Sequence, residues 1–443
     1  MAFLPESRSG LILAIFALTC GGCGASSAED GGSTPASAGK SSGAGAPGTG
    51  GTSGVDTDAG GGTLSANAGD PSVSGGAAAA AAGPGSAGAP SAAGTGSGAG
   101  GANVIPTVPY VYVGSTNGQI SIFTLDAALG KLTLVKSVAA GNYPSYLAFD
   151  PMFAHLYAVN EPDGKVACFA VDSKTGDLTF LNRVDSGGAG PAFLSVDHSG
   201  KYLLVANYEA GTTRVSPLRA DGSVGPPSDD KSPGKNSHMI VTDPGNQFAF
   251  VVNKGSDTIS QYAFNPATGT LSPNDVPSVV TPAGSGPRHL AFHPNGKYAY
   301  LIAENADTLS AYAYDPKLGR LTFLESKSTL PAGENGDSNT CAEVVVAPSG
   351  KFVYGSNRGH DSIARFSIDT ASGKLTFIDT TPSGGNVPRS FTISRDGELM
   401  LVANESGNVT SFSVDTKTGA LTTLLSLNVP QKPQFVGIAD LPL

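Results

Sequence analysis

A glycine turn leading into a short apolar strand returns seven times along this chain. The copies are Gly130-Lys-Leu-Thr-Leu134, Gly176-Asp-Leu-Thr-Phe180, Gly222-Ser-Val224, Gly269-Thr-Leu271, Gly319-Arg-Leu-Thr-Phe323, Gly373-Lys-Leu-Thr-Phe377 and Gly419-Ala-Leu-Thr-Thr423. Their aligned apolar residues, Leu132 to Leu421, lie 46, 46, 47, 50, 54 and 46 residues apart. A period of this length marks neighbouring copies of one supersecondary unit, and each unit has room for four strands. No helical periodicity competes with this pattern.

Three further elements recur with the same period. One is aromatic and β-branched and ends in Gly, Ala or Asn, as in Tyr110-Val-Tyr-Val-Gly114 and Leu156-Tyr-Ala-Val-Asn160. Another follows it closely, as in Ile120-Ser-Ile-Phe123. The fourth runs Pro144-Ser-Tyr-Leu-Ala-Phe149, Pro191-Ala-Phe-Leu-Ser-Val196 and so on to Pro433-Gln-Phe-Val-Gly-Ile438, which stands alone at the C-terminus. The first repeat lacks that element, so the two ends complete one unit together. The expected fold is all-β, a seven-bladed β-propeller with four antiparallel strands per blade, closed by the C-terminal strand joining the N-terminal blade. It should occupy residues 103–443.

The residues before it cannot build a core. Positions 24–102 are almost wholly Gly, Ala, Ser, Thr and Pro, and read as a disordered tether. As a flexible coil, ~80 residues span about 50 Å. Residues 1–23 read as a lipoprotein-type signal peptide, with Arg8 ahead of an apolar stretch too short to cross a bilayer. Cys20 and Cys23 both resemble a lipidation site. Gly22 before Cys23 suits the small residue needed at cleavage, so Cys23 is the expected anchor. The protein is then exported to the bacterial cell envelope, periplasmic or on the cell surface, and meets the membrane only through the lipid. Cys168 and Cys341 fall in different repeats, and no disulfide is expected between them. A net charge of -10 and a pI near 5.0 speak against nucleic acid as a partner.

Function has to come from positions where the copies differ. The start of the fourth element and the end of the strand after it should meet at one mouth of the central channel. One ring of aligned positions reads Ser145, Ala192, His238, Arg288, Ala342, Arg389 and Gln434. Its neighbour reads Tyr146, Phe193, Met239, His289, Glu343, Ser390 and Phe435. A third reads Thr116, Glu161, Tyr208, Lys254, Glu304, Arg358 and Glu405. Cations and carboxylates converging on one pore shift one another's ionisation and suit an anionic ligand. His360, in a loop, reads as packing. No metal-binding motif is present, and neither metal nor cofactor is expected.

Three segments carry a family resemblance: Gly286-Pro-Arg-His-Leu-Ala-Phe-His-Pro-Asn-Gly-Lys-Tyr-Ala-Tyr300, Ser356-Asn-Arg-Gly-His-Asp-Ser-Ile363 and Asn265-Pro-Ala-Thr-Gly-Thr-Leu-Ser-Pro-Asn-Asp275. They resemble the lactonase family of seven-bladed propellers, the 6-phosphogluconolactonase and carboxymuconate cyclase type. The resemblance implies a hydrolase that opens a small sugar lactone, with His238, Arg288, Glu304 and Arg358 as catalytic residues. His289, Glu343 and Arg389 are expected to bind substrate. The arginines would hold an anionic group and the oxyanion, while Glu304 or His238 activates water. Asn236 stands where the family usually has histidine, and the site loop at 228–235 reads as shortened. An exported chain would not meet a cytosolic phosphosugar. The chain is expected to act as a monomer. A second reading, from the resemblance of strands such as Leu156-Tyr-Ala-Val-Asn160 to surface-layer repeats, is a non-catalytic envelope or surface-binding propeller.

Overall fold

The computed structural model describes residues 107–334 and 336–442. The expected signal peptide, Cys20, Cys23 and the whole of the expected tether lie outside them. The described residues form 28 strands and two three-residue 3-10 turns. The strands make seven four-stranded sheets, every pairing antiparallel. Six blades are continuous stretches: 147–185, 191–231, 237–280, 287–328, 340–382 and 388–428. The first combines three strands from 107–139 with the C-terminal strand Pro433–Pro442, which pairs with Thr107–Ser115. The ring closes as the unpaired last element requires.

The turn glycine explains why its motif recurs. At Gly319 φ is +62°, and a Cβ there would sit 2.1 Å from Phe248 Cδ1, in the preceding blade. The same contact joins Gly176 to Tyr110, Gly222 to His155, Gly269 to Tyr202, Gly373 to Tyr298 and Gly419 to Phe352. Each ring lies at the start of a second strand, so the aromatic start of that element and the glycine turn are halves of one inter-blade joint. Tyrosine hydroxyls reinforce it: Tyr112 donates to the Gly176 carbonyl at 2.7 Å, Tyr157 to Gly222 at 2.9 Å and Tyr354 to Gly419 at 2.8 Å.

Near the mouth of the pore the joint is a buried asparagine. Asn160, Asn207, Asn357 and Asn404 each donate from Nδ2 to a carbonyl at the exit of the preceding blade: Ala140, Ser186, Thr329 and Ser383. The residue after each asparagine belongs to the third ring. The strand-ending Asn is thus a structural tie that fixes where a pore side chain begins.

One blade departs from the repeat. Val224 makes only an isolated bridge with Leu218, and the outer strand there is Asp229–Lys231. Asn182 of the previous blade bonds both the N–H and the carbonyl of Val224, which holds that copy to its neighbour. The segment 228–235, expected as a shortened loop, therefore contains a strand, braced by Arg214 on Asp230 at 2.7 Å. Cys168 and Cys341 are buried and free.

Two glycine substitutions separate backbone strain from the inter-blade contact. Gly296 has φ +66° with nothing within 4 Å of a new Cβ, so Gly296→Ala should cost about 1 kcal/mol from the left-handed backbone alone. Gly319→Ala adds the clash with Phe248 and should cost at least ~2 kcal/mol more. Urea unfolding of both variants checks this; equal losses would mean the ring contact is unimportant.

Candidate active site

Adjacent residues on a strand normally face opposite sides, yet both inner rings reach the pore. A β-bulge at the start of the inner strand accounts for this. The register jumps from Ser237 to Met239, Pro287 to His289, Pro388 to Ser390 and Pro191 to Phe193. The residue skipped each time is the first-ring member: His238, Arg288, Arg389 and Ala192. Freed from pairing, it turns toward the channel beside its successor.

The bulged residues and the third ring together line a cavity of about 130 Å³. From the bulges come Ala192, His238, Arg288 and Arg389; from the third ring come Glu161, Tyr208, Lys254, Glu304 and Arg358. Glu304 is the hub. Its Oε1 lies 2.8 Å from Lys254 Nζ and 3.0 Å from Arg358 Nη2, and its Oε2 lies 3.1 Å from Arg288 Nε. The last contact is an ion pair that is not aligned as a hydrogen bond. Backbone carbonyls hold the two arginines from behind: Arg288 Nη1 donates to Ala342 at 2.6 Å and Arg358 Nη2 to Cys341 at 2.8 Å. Arg389 pairs with Glu405 at 3.4 Å.

This packing sets the charges. Burial alone would push the Glu304 carboxyl up, but Arg288, Arg358 and Lys254 outweigh it and bring it down to about 2. Burial, then Arg358, pushes Arg288 down to about 10, which leaves it charged at neutral pH. Burial, then Arg288, holds His238 well below the usual histidine range, so its imidazole is neutral. The His238 ring sits edge-on to Tyr208 at 5.5 Å and to His289 at 5.1 Å, and its Nδ1 has no hydrogen-bond partner among the described residues.

The second ring closes the channel beneath. Tyr146 packs on Phe193 at 4.3 Å, on Phe435 at 4.9 Å and on His289 at 5.8 Å. His289 Nδ1 lies 2.7 Å from Glu343 Oε1, inside this layer. A void of about 10 Å³ lies between the layers.

His238, Arg288, Glu304 and Arg358, read from different repeats, thus meet on one cavity, with Arg389 on its wall. His289 and Glu343 lie one layer deeper, where they support Arg288: its Nη1 is 3.4 Å from His289 Nε2. Lys254, Glu161 and Tyr208 also line the cavity; they belong to the third ring, but nothing in their own sequence context marks them out. Asn236, at φ +54°, donates to the Tyr208 carbonyl at 3.1 Å and so shapes the wall. His360 bonds Ser362 Oγ at 2.7 Å, outside the cavity. Among the described residues no group of three or more His, Cys, Asp or Glu side chains is arranged to hold a metal.

Such a site suits a small anionic or oxyanion-forming ligand, and relatives narrow it further. The family described as "Lactonase, 7-bladed beta-propeller" matches residues 110–436. The chain belongs to this lactonase family. The 6-phosphogluconolactonase of Bacillus subtilis is 34% identical over 331 residues, covering 72% of this chain and 93% of the relative. That of Formosa agariphila is 34% identical over 335 residues, covering 70% and 94%. The structure of the periplasmic gluconolactonase PpgL of Pseudomonas aeruginosa superposes with a TM-score of 0.71 at 29% identity, covering 76% of this chain and all of the other. These relatives support a lactonase-like hydrolase acting on small lactones.

In this lactonase-family propeller, Glu304→Gln should cost about 3–5 kcal/mol at neutral pH, because three cations lose their shared carboxylate. The acid limb should change too. Glu304 goes from an ordinary 4.5 to about 2 on folding, so its contribution is complete above pH 4.5 and is lost as pH falls toward 2. That loss is on the order of 3 kcal/mol in the native protein and absent in the variant. Urea unfolding at pH 7 and at pH 3, where about 2 kcal/mol of that loss should already have appeared, measures both.

Proposed function

We propose that the cavity opens a sugar lactone to its hydroxy acid. The carrying observation is one small cavity on which Arg288, Arg358, Lys254 and Arg389 converge beside a neutral His238. The lactone carbonyl lies toward Arg288 and Arg358, and His238 takes a proton from water as its oxygen bonds the carbonyl carbon. The arginines stabilise the resulting oxyanion. Collapse breaks the ring C–O bond, and the proton on His238 passes to the departing ring oxygen. One water is added in all, and the acid product leaves as its carboxylate. Glu304 is a poor base here, because it is held near 2 and both oxygens face cations. Its part is to space the arginines.

The purified protein should release acid from 6-phosphogluconolactone or unphosphorylated aldonolactones faster than they hydrolyse spontaneously. His238→Ala should lower kcat by about 10²- to 10⁴-fold and Arg288→Ala by about 10²- to 10³-fold. Unchanged activity in both would sink this assignment. The base works only unprotonated and its pKa is lowered, so kcat/KM should stay level through pH 6.5 and fall only in more acid solution.

We also propose that the chain is exported and anchored by lipid at Cys23. The family neighbour named as periplasmic supports export. Labelling with a radioactive fatty acid should succeed in the wild type and fail in Cys23→Ser; label kept in that variant would move the anchor to Cys20.

A further inference from the structure

The carboxylates around the cavity are not equivalent. Glu304 takes three cations and Glu405 takes Arg389. Glu161, on the cavity wall, has no ion pair among the described residues, and its Oε2 is shielded from solvent without a hydrogen-bond partner. A buried acceptor left in this state is costly and calls for an explanation. It is also held firmly: Glu161 opens the turn Glu161–Asp163, between the tied Asn160 and Gly164 at φ +62°.

Position around the ring gives the residue its meaning. Glu161 directly follows the second strand of the second blade, whereas Arg288 and Arg358 belong to the fifth and sixth. In a ring of seven those blades lie across the pore, so the cavity is positive on one wall and negative on the other. A volume of about 130 Å³ has room for one sugar-sized molecule. With the lactone carbonyl against the arginines, the end of the sugar remote from it comes to the Glu161 wall.

We propose that Glu161 is a specificity residue that accepts hydrogen bonds from the free hydroxyls at the remote end of an aldonolactone and excludes a phosphate ester there. This rests on the lactonase reading above. A hydroxyl donates to a carboxylate in a short charge-assisted bond. A phosphate dianion in its place has no proton to give and meets a like charge in a poorly solvated site. The substrate class is therefore the unphosphorylated polyhydroxy lactone.

The test uses the full chain and its Glu161→Gln and Glu161→Asp variants. kcat/KM is measured on gluconolactone and on its 6-phosphate, and calorimetry follows binding of gluconate and 6-phosphogluconate. The wild type should favour the unphosphorylated compound of each pair by at least about tenfold. Glu161→Gln should erase that preference, weakening gluconate and strengthening 6-phosphogluconate. Glu161→Asp keeps the charge but shortens the reach, so it should weaken gluconate while still rejecting the phosphate. That variant decides the matter if the glutamine protein does not fold. A wild-type preference for the phosphate, binding of neither acid, or a preference unmoved by both substitutions would overturn the role of Glu161. Failure of the wild type to open either lactone sinks the lactonase reading instead, and the calorimetric preference still decides Glu161.

Discussion

The ring depends on one repeated contact, in which a side chain at the start of a blade's second strand lies over the turn glycine of the next blade. Six of the seven seams have it, with Tyr, Phe or His as the upper partner. The contact has no room for a Cβ and needs a left-handed backbone, so it selects glycine twice over. At the seam between the last blade and the first, Leu399 stands where the others have a ring, and Gly130 packs on Leu424 instead. A groove of about 430 Å³ opens at that seam, with Leu399 and Leu424 on its walls. The missing ring and the open groove agree with each other: where the joint is weaker, the blades leave space.

A symmetric ring does not by itself make a site. Strand alternation would give each blade one pore-facing position in every two. The bulge at the start of the inner strands breaks that rule and offers two adjacent side chains, at different depths. The deeper set is mostly aromatic and packs into a floor, and the shallower set is free to carry charge. Because the floor excludes water, the ion pairs above it are stronger than exposed pairs, which explains how one carboxylate holds three cations in fixed positions. Glu304 thereby gives up its own basicity to geometry, and in the proposed reaction the proton-accepting role falls to His238.

The fold was readable because a propeller repeats its scaffold: spacing, turn glycines and the solitary last strand each point to the same closed ring. The third blade differs from its sequence pattern at Gly222–Val224 because that copy keeps the glycine joint to its neighbour but gives up its place in the sheet to Asp229–Lys231. A motif selected for a contact between blades does not have to be a strand within one. For the site, the aligned rings brought His238, Arg288, Glu304, Arg358 and Arg389 together correctly in space. Depth was not readable, because a bulge leaves no spacing signal of its own. His289 and Glu343 adjoin first-ring residues in the chain, yet they belong to the floor.

Lys254 and Glu161 carry a different lesson. Both come directly after a buried asparagine at the end of a second strand, and that repeated context makes them look like parts of the scaffold. The asparagine is the scaffold; the residue after it is not. Five of the seven second strands end in asparagine, and the next position would be equally uniform if only the ring were being built. Instead that position holds Thr, Glu, Tyr, Lys, Glu, Arg and Glu around the ring. Sameness at one position and variety at the next mark the boundary between what closes the ring and what the ring presents. Glu304 and Glu161 share that position and the same residue type, and their surroundings make one a clamp for cations and leave the other without an ion pair among the described residues.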